Sequence, residues 1–325
     1  MNKGIKKYNL LIITPVNHIE NLNEKFKDFR KVKILENPSY NQILKIIKNY
    51  HIIFTNPNMS NVLIDKKLIS KAEKLICVTT ASTGTVHIDK VFLKDKRIKL
   101  ISLTKEYKTI QKISSTAEHA LALTLAHVRN IPVSAQNVKK GEWNYTKYIG
   151  RQFTNLKIGI LGYGRLGKKY SKYLLSLESK VSVYDPYKEV KNKKIFQEKS
   201  LINMFKSNDI ISLHIHVSKN TRNIINKKIL KYAKKNLLIV NTSRGELINE
   251  ADLINFLKKN KNAKYATDVL NDEIKNKKNN KLLKMSKTND QVLITPHIGG
   301  MTVEAQEIAY GRVMDLTNKF LRNFS

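Results

Sequence analysis

Residues 157–167 read Lys-Ile-Gly-Ile-Leu-Gly-Tyr-Gly-Arg-Leu-Gly, and eighteen residues past the last glycine the chain reaches Tyr184-Asp185-Pro186. The apolar run Ile158 to Leu161 predicts a buried strand, and the spacing from Arg165 to Leu177 predicts a helix. Between them Gly162, Gly164 and Gly167 fit G-x-G-x-x-G. The first glycine allows a tight turn and the second lets a pyrophosphate approach the backbone. The third lets the helix pack close to the strand, with its N-terminal amides aimed at the phosphates. Lys180 to Tyr184 predicts the next strand, which Asp185 ends. A carboxylate there accepts ribose hydroxyls and repels a 2′-phosphate, so the expected cofactor is NAD rather than NADP. Tyr163, Arg165 and Leu166, inside the loop, are expected to line the same site.

The rest of the chain alternates in the same way. Strands are predicted at Leu10–Ile13, Val32–Leu35, Ile52–Thr55, Leu75–Thr79 and Ile98–Leu100, with helices at Tyr40–Lys48 and Ile64–Lys71. Ser115-Thr-Ala-Glu118 offers a capping box for a helix that is almost wholly apolar from Ala117 to Val128. A helix apolar on every side is expected to be buried between domains or subunits. From Leu156 a second α/β run has strands at Ile158–Leu161, Val181–Tyr184, Ile210–His214, Leu237–Asn241, Tyr265–Val269 and Val292–Thr295. After Thr302 one amphipathic helix runs to the end and is expected to return to the first domain. Ligands of such doubly wound sheets lie at the carboxyl ends of the strands.

At 325 residues the chain has room for about two domains. No apolar stretch of about 18 residues predicts a membrane span. The first apolar run meets Pro15 after about five residues, which suits a strand better than a signal peptide. Cys77 is the single cysteine; it sits in a strand-like run and is expected to be a buried small hydrophobe in a cytoplasmic protein. The net charge of +34 would ordinarily point to nucleic acid. Here the lysines are scattered over nearly every segment, so no specific nucleic-acid partner is expected. The densest patch, Lys275 to Lys281, lies in a polar loop. No metal is expected.

Three polar residues follow predicted strands of the second run. Arg244 follows Leu237–Ser243, Glu273 follows Asp268-Val-Leu-Asn-Asp, and His297 follows Val-Leu-Ile-Thr-Pro. The strand ends bring them toward one crevice. Oxidising a secondary alcohol needs a hydride acceptor and a base for the hydroxyl proton. A histidine can be that base, a carboxylate can fix its tautomer, and an arginine can hold a substrate carboxylate in two hydrogen bonds.

Taken together, the motifs make the chain resemble the D-isomer-specific 2-hydroxyacid dehydrogenases. The motifs are Ala81–Asp89, Ala117-Glu-His-Ala, Arg129-Asn-Ile-Pro132, the glycine loop, Tyr184-Asp-Pro, Leu213-His214, Asn241–Gly245, Asp268 with Glu273, and Thr295–Gly300. The resemblance implies two doubly wound α/β domains. A flavodoxin-like substrate domain would comprise 1–108 and 301–325, and a Rossmann NAD-binding domain 109–300. It also implies a small anionic 2-hydroxy acid as substrate and a homodimer joined through the nucleotide domain. His297 would be the acid/base, Glu273 its partner and Arg244 the substrate anchor. Backbone amides at Thr83 and Gly84 would bind the substrate carboxylate. Asp268 would contact the nicotinamide carboxamide, while Ser243, His214 and Gly299 would line the cofactor pocket. Phosphoglycerate-type members tend to carry an arginine near Thr55-Asn-Pro-Asn58; here Asn56 and Asn58 offer hydrogen bonds without charge. His216, Glu178 and Ile274 stand where the family usually has proline, glycine and proline. Trp143 would either close over the site or serve packing. With nothing after Ser325, the extra regulatory domain of some members is not expected. The alternative reading is a non-catalytic NAD-sensing, corepressor-like binding protein; formate oxidation ranks lower because those relatives usually carry glutamine in place of Glu273.

Overall fold

The computed structural model describes residues 7–57, 62–273 and 277–324. Asn58 and Ile274 lie outside them, as does part of the Lys275–Lys281 patch. The chain divides into two compact units, Met1–Ile113 with Gly300–Ser325, and Ser114–Gly299.

The first unit holds five strands: β1 Asn9–Ile12, β2 Lys31–Ile34, β3 Ile52–Thr55, β4 Cys77–Thr80 and β5 Lys99–Ser102. They pair in parallel in the order β2-β1-β3-β4-β5, the flavodoxin-like winding. Alternation along β1 shows why both faces are covered. Leu10 and Ile12 join one core with Tyr310, Val313 and Met314 of the final helix, Val303–Arg322. Leu11 and Ile13 join the opposite core with Ile43, Ile47 and Leu68. The last helix therefore belongs to the first unit, its apolar face in the core with β1. Cys77 is buried, and burial pushes its thiol far above the usual range.

The second unit has seven parallel strands: β6 Lys157–Leu161, β7 Lys180–Tyr184, β8 Ile195–Gln197, β9 Ile210–Leu213, β10 Leu238–Asn241, β11 Lys264–Thr267 and β12 Val292–Ile294. Their order is β12-β11-β10-β9-β6-β7-β8, so the direction of winding reverses between β6 and β9. That reversal is the switch point of a Rossmann sheet. Again the cores split by alternation: Leu238 and Val240 face one layer, Ile239 the other.

Two local expectations are corrected. The helix Ser115–Val128 has Ser114 at its N-cap with no side-chain cap bond, so the Ser115-to-Glu118 capping box does not form. Nor is this helix buried on every side. Ala117, Ala120 and Leu123 enter a core with Tyr170 and Leu174 of the helix Arg165–Ser176, while Glu118 and Ala122 are exposed. The small β8 was not anticipated.

Glu178 explains itself in the structure. It has φ +57° just past the helix Arg165–Ser176. Its N–H reaches Leu175 O, and Ser179 N–H reaches Leu174 O, the paired bonds of a Schellman cap. A glycine suits that conformation because a Cβ costs roughly 1 kcal/mol there. Glu178 is exposed, so Glu178→Gly removes no packing. It is expected to raise the melting temperature by about 2–4 °C, readable by differential scanning calorimetry. An unchanged or lower value would contradict this account of the cap.

Three histidines are held as neutral rings, His87 and His127 buried and His214 partly exposed. Burial pushes His87 and His127 down to about 4 and His214 to about 3. Among the described residues neither His87 ring nitrogen has a hydrogen-bond partner. The unfolded chain takes up these protons near the ordinary 6.5, before the folded chain does. Stability is therefore fully present above that value and falls as the pH drops below it, by up to roughly 4 kcal/mol per pH unit for three protons. The urea midpoint is expected to be clearly lower at pH 5.5 than at pH 7.5. Equal midpoints would show that these rings are protonated without cost.

Candidate active site

The loop after β6 has the backbone form that a dinucleotide requires. Gly162 has φ +96°, and a Cβ there would meet Ile215 Cγ2 at 2.5 Å and His214 O at 2.7 Å. A Cβ on Gly167 would lie 2.1 Å from Gly162 O, so only glycine lets this helix start so close to the loop. Gly164 caps the helix Arg165–Ser176, and a Cβ on it would meet nothing within 4 Å. The helix N-terminus thus opens onto free space, as a pyrophosphate would need.

Asp185 stands at the end of β7. Its Oδ2 accepts the Tyr163 N–H at 2.8 Å and its Oδ1 accepts the Tyr187 N–H at 2.9 Å. It ties the loops after β6 and β7 together. A carboxylate has about four acceptor sites, so two stay available for ribose hydroxyls. Tyr163 is buried, and Leu166 packs against the same core. Ser243 Oγ donates to Leu213 O at 2.7 Å, which places it beside His214. His214 Nε2 meets Ser212 Oγ at 2.9 Å, and its buried Nδ1 has no partner among the described residues. The neutral ring leans on Tyr170 at 5.0 Å between centroids. Glycine cradle, helix end, acid and orphaned imidazole nitrogen together fit a dinucleotide. His216 lies in the following exposed loop, where its carbonyl accepts the Thr221 hydroxyl.

The proposed proton-transfer pair is formed. His297 Nδ1 and Glu273 Oε1 are 2.6 Å apart, with side chains 20% and 26% exposed. Burial pushes Glu273 upward. The hydrogen bond and charge of His297, the Leu270 N–H and the Arg244 charge outweigh it and hold the carboxyl below its usual range. Glu273 is therefore ionised near neutral pH, and His297 Nδ1 carries the proton. The lone pair of a neutral ring is then on Nε2. Arg244 follows β10 and is half-buried, its Nη1 donating to Ser243 O at 2.6 Å.

The loops are shaped for this meeting. His297 has φ +59°, and Asp272, before Glu273, has φ +52°. Strained backbone of this kind persists only where surroundings over-determine it. Gly245 lets the loop after β10 touch the loop after β11: a Cβ there would lie 2.1 Å from Leu270 C and 2.2 Å from Asn271 N. Glu250 Oε1 accepts the Asn271 N–H at 2.9 Å and an Asn280 Nδ2–H at 3.1 Å. Sequence reasoning gave Gly245 no role of its own within its motif and missed Glu250, because their partners are close only in the fold.

Other expected site residues have further tasks. Asp268 is 2% exposed, and its two oxygens accept the Ile298 and Gly299 amides at 2.8 and 2.7 Å. It anchors the His297 loop, a role the resemblance did not supply. Asn56 is 2% exposed and donates to Tyr310 OH at 2.7 Å, so it is bound into the first unit. The Gly84 N–H is already taken by Ser82 Oγ at 2.9 Å, whereas the Thr83 N–H makes no hydrogen bond among the described residues. Trp143 is 90% exposed. Among the described residues no cluster of metal-ligating side chains occurs, and no helix is long and apolar enough to cross a membrane.

Comparison with known proteins identifies the family. Residues 121–299 match the model of the D-isomer specific 2-hydroxyacid dehydrogenase NAD-binding domain. A hydroxypyruvate reductase of Thermotoga maritima is 30% identical over 270 residues, 82% of this chain and 83% of that one. The chain belongs to the D-isomer-specific 2-hydroxyacid dehydrogenase family. Its nucleotide cofactor is NAD. A D-3-phosphoglycerate dehydrogenase of Methanocaldococcus jannaschii is a further relative, 32% identical over 295 residues and 90% of this chain. The chain spans about half the length of that relative. Among solved structures of family proteins, D-lactate dehydrogenase from Aquifex aeolicus, complexed with NAD and lactic acid, is 26% identical. Its TM-score is 0.79, with 97% of this chain and 96% of that one covered.

Proposed function

We propose that the protein is an NAD-dependent D-2-hydroxyacid dehydrogenase in which His297 exchanges the hydroxyl proton, Glu273 holds its tautomer and Arg244 anchors the substrate. The observation that carries this is the 2.6 Å bond between His297 and an ionised Glu273, with the Arg244 charge acting on the same carboxylate. When bound, NAD supplies the hydride acceptor and NADH the donor. In oxidation, His297 Nε2 takes the hydroxyl proton, and Glu273 stabilises the imidazolium that results. In reduction the same ring returns that proton to the carbonyl oxygen. Arg244 offers its planar fork to the substrate carboxylate and polarises the reacting oxygen. The first unit's contribution, by this reading, is the Thr83 amide. The Gly84 amide would join it only after leaving Ser82.

The substrate is a small 2-oxo or 2-hydroxy acid. The relatives are named for phosphoglycerate, hydroxypyruvate and lactate chemistry. Because Asn56 is uncharged and turned into its own unit, an unphosphorylated acid is favoured over 3-phosphoglycerate. Ile131, Val138, Trp143, Tyr145 and Ile149 form an exposed apolar stretch in the nucleotide unit, which supports assembly as a homodimer. The lone, buried Cys77 supports a cytoplasmic setting.

The test is NADH oxidation at 340 nm with a panel of 2-oxo acids, with and without a phosphate group. Turnover of a small unphosphorylated acid is expected. No turnover from folded protein that still binds NADH would overturn the proposal.

A further inference from the structure

His119 is absent from the proton-transfer chemistry, yet it reaches the loop that carries it. The residue sits on the helix Ser115–Val128, a rigid element whose Ala117, Ala120 and Leu123 are locked in the core. Its Nε2 lies 2.9 Å from Thr295 Oγ1 and 3.3 Å from Asp268 Oδ1. The Thr295 hydroxyl gives its one proton to Asp268 Oδ1 at 2.6 Å. Its oxygen can then only accept from His119, which fixes an N–H on Nε2. Asp268 receives three hydrogen-bond donors, the Thr295 hydroxyl and the Ile298 and Gly299 amides, and His119 Nε2 lies 3.3 Å from its Oδ1. All three donors belong to the 295–299 loop itself. The backbone is held to β10 and β11 by Asp268 N–H to Asn241 O at 3.0 Å and Thr295 N–H to Thr267 O at 2.9 Å. Among the described residues His119 is the side chain that links the carboxylate end of the cluster to the helix. A Cβ on Gly299 would lie 2.9 Å from Asp268 Oδ2, so the loop is seated without spare room.

We propose that His119 is a positioning residue for His297, acting through Asp268 and Thr295. His297 occupies a positive-φ conformation that its own side chain disfavours. The carboxylate of Asp268 clamps the two amides that follow it, and His119 clamps the carboxylate to the helix. Without that tether the loop can relax, and the His297–Glu273 bond loses its fixed geometry. The inference deepens the dehydrogenase reading and rests on it for its kinetic consequence alone.

The test uses the full chain and two variants, His119→Ala and His119→Gln; the glutamine amide can donate from nearly the position of Nε2. With the best 2-oxo acid, His119→Ala is expected to lower kcat about tenfold while KM for NADH changes less than about twofold. His119→Gln is expected to recover kcat to within about threefold. A second readout needs no turnover. In protein labelled with 15N-histidine, the His297 Nδ1–H should give a downfield proton resonance, assigned by its loss in His297→Asn. That signal should persist in His119→Gln and be broadened or lost in His119→Ala. An unchanged resonance and kcat in folded His119→Ala would overturn the positioning role. Equal losses in both variants would overturn it too, because the donated hydrogen bond would then not be the cause. If the wild type turns over no 2-oxo acid, the dehydrogenase reading fails, and the resonance alone still decides whether His119 fixes His297.

Discussion

His297→Ala is expected to lower kcat by about a hundredfold to ten-thousandfold while leaving NADH affinity within about twofold, because general acid–base transfer is worth that much and the ring lies outside the glycine cradle. The reason is local. Glu273 is held below its usual range and stays ionised, so it fixes the Nδ1 proton and leaves Nε2 as the exchanging nitrogen. Glu273→Gln should give a smaller loss, since an amide can accept the same hydrogen bond but cannot balance an imidazolium. Fluorescence titration with NADH separates binding from turnover. Near-wild-type kcat in His297→Ala would remove the histidine from the chemistry. A parallel loss of NADH binding would show that the variant had damaged the fold instead.

Gly245→Ala is expected to cost nearly as much without touching any reacting group. A single added carbon would sit 2.1 Å from Leu270 C, 2.2 Å from Asn271 N and 2.4 Å from Leu270 O, all of them backbone atoms. No rotamer change can absorb that clash, so the loops after β10 and β11 must separate. Arg244 is on one and Glu273 on the other. We expect kcat/KM for the acid to drop at least about a hundredfold, equivalent to about 2.7 kcal/mol of transition-state stabilisation. The overpacking should also cost roughly 1–3 kcal/mol of stability. Steady-state kinetics and a urea titration of the same sample read both effects. Wild-type kinetics in this variant would mean that the approach of the two loops is unimportant for the site.

The parts legible in the sequence are those written in local patterns. Long apolar runs such as Ile158–Leu161 and Leu238–Val240 announce buried parallel strands, because both faces of the sheet are covered. The glycine loop and Asp185 carry their spacing within one βαβ unit, so the cofactor could be named from residues 157–185. His297, Glu273 and Arg244 were singled out because each closely follows a predicted strand of the second run. What escaped depends on neighbours far away in the chain. β8 has three residues at the sheet edge, with Phe196 65% exposed, and lacks an apolar run to mark it. The Ser115 capping box has the right residues one position too late, since Ser114 occupies the cap. Gly245, Glu250 and the Asp268–His119 tether act across loops that meet only after folding. Asn56 shows the opposite failure: a polar residue near an expected substrate position turns inward to Tyr310.

The most direct test of the central claim is stereochemical. Purified protein would be incubated with NAD and, separately, the D and L enantiomers of the 2-hydroxy acid whose 2-oxo form is reduced fastest, and NADH formation followed at 340 nm. The account predicts steady NADH formation from the D enantiomer and essentially none from the L enantiomer. Oxidation of the L enantiomer, or silence with both from protein that binds NAD, would contradict it.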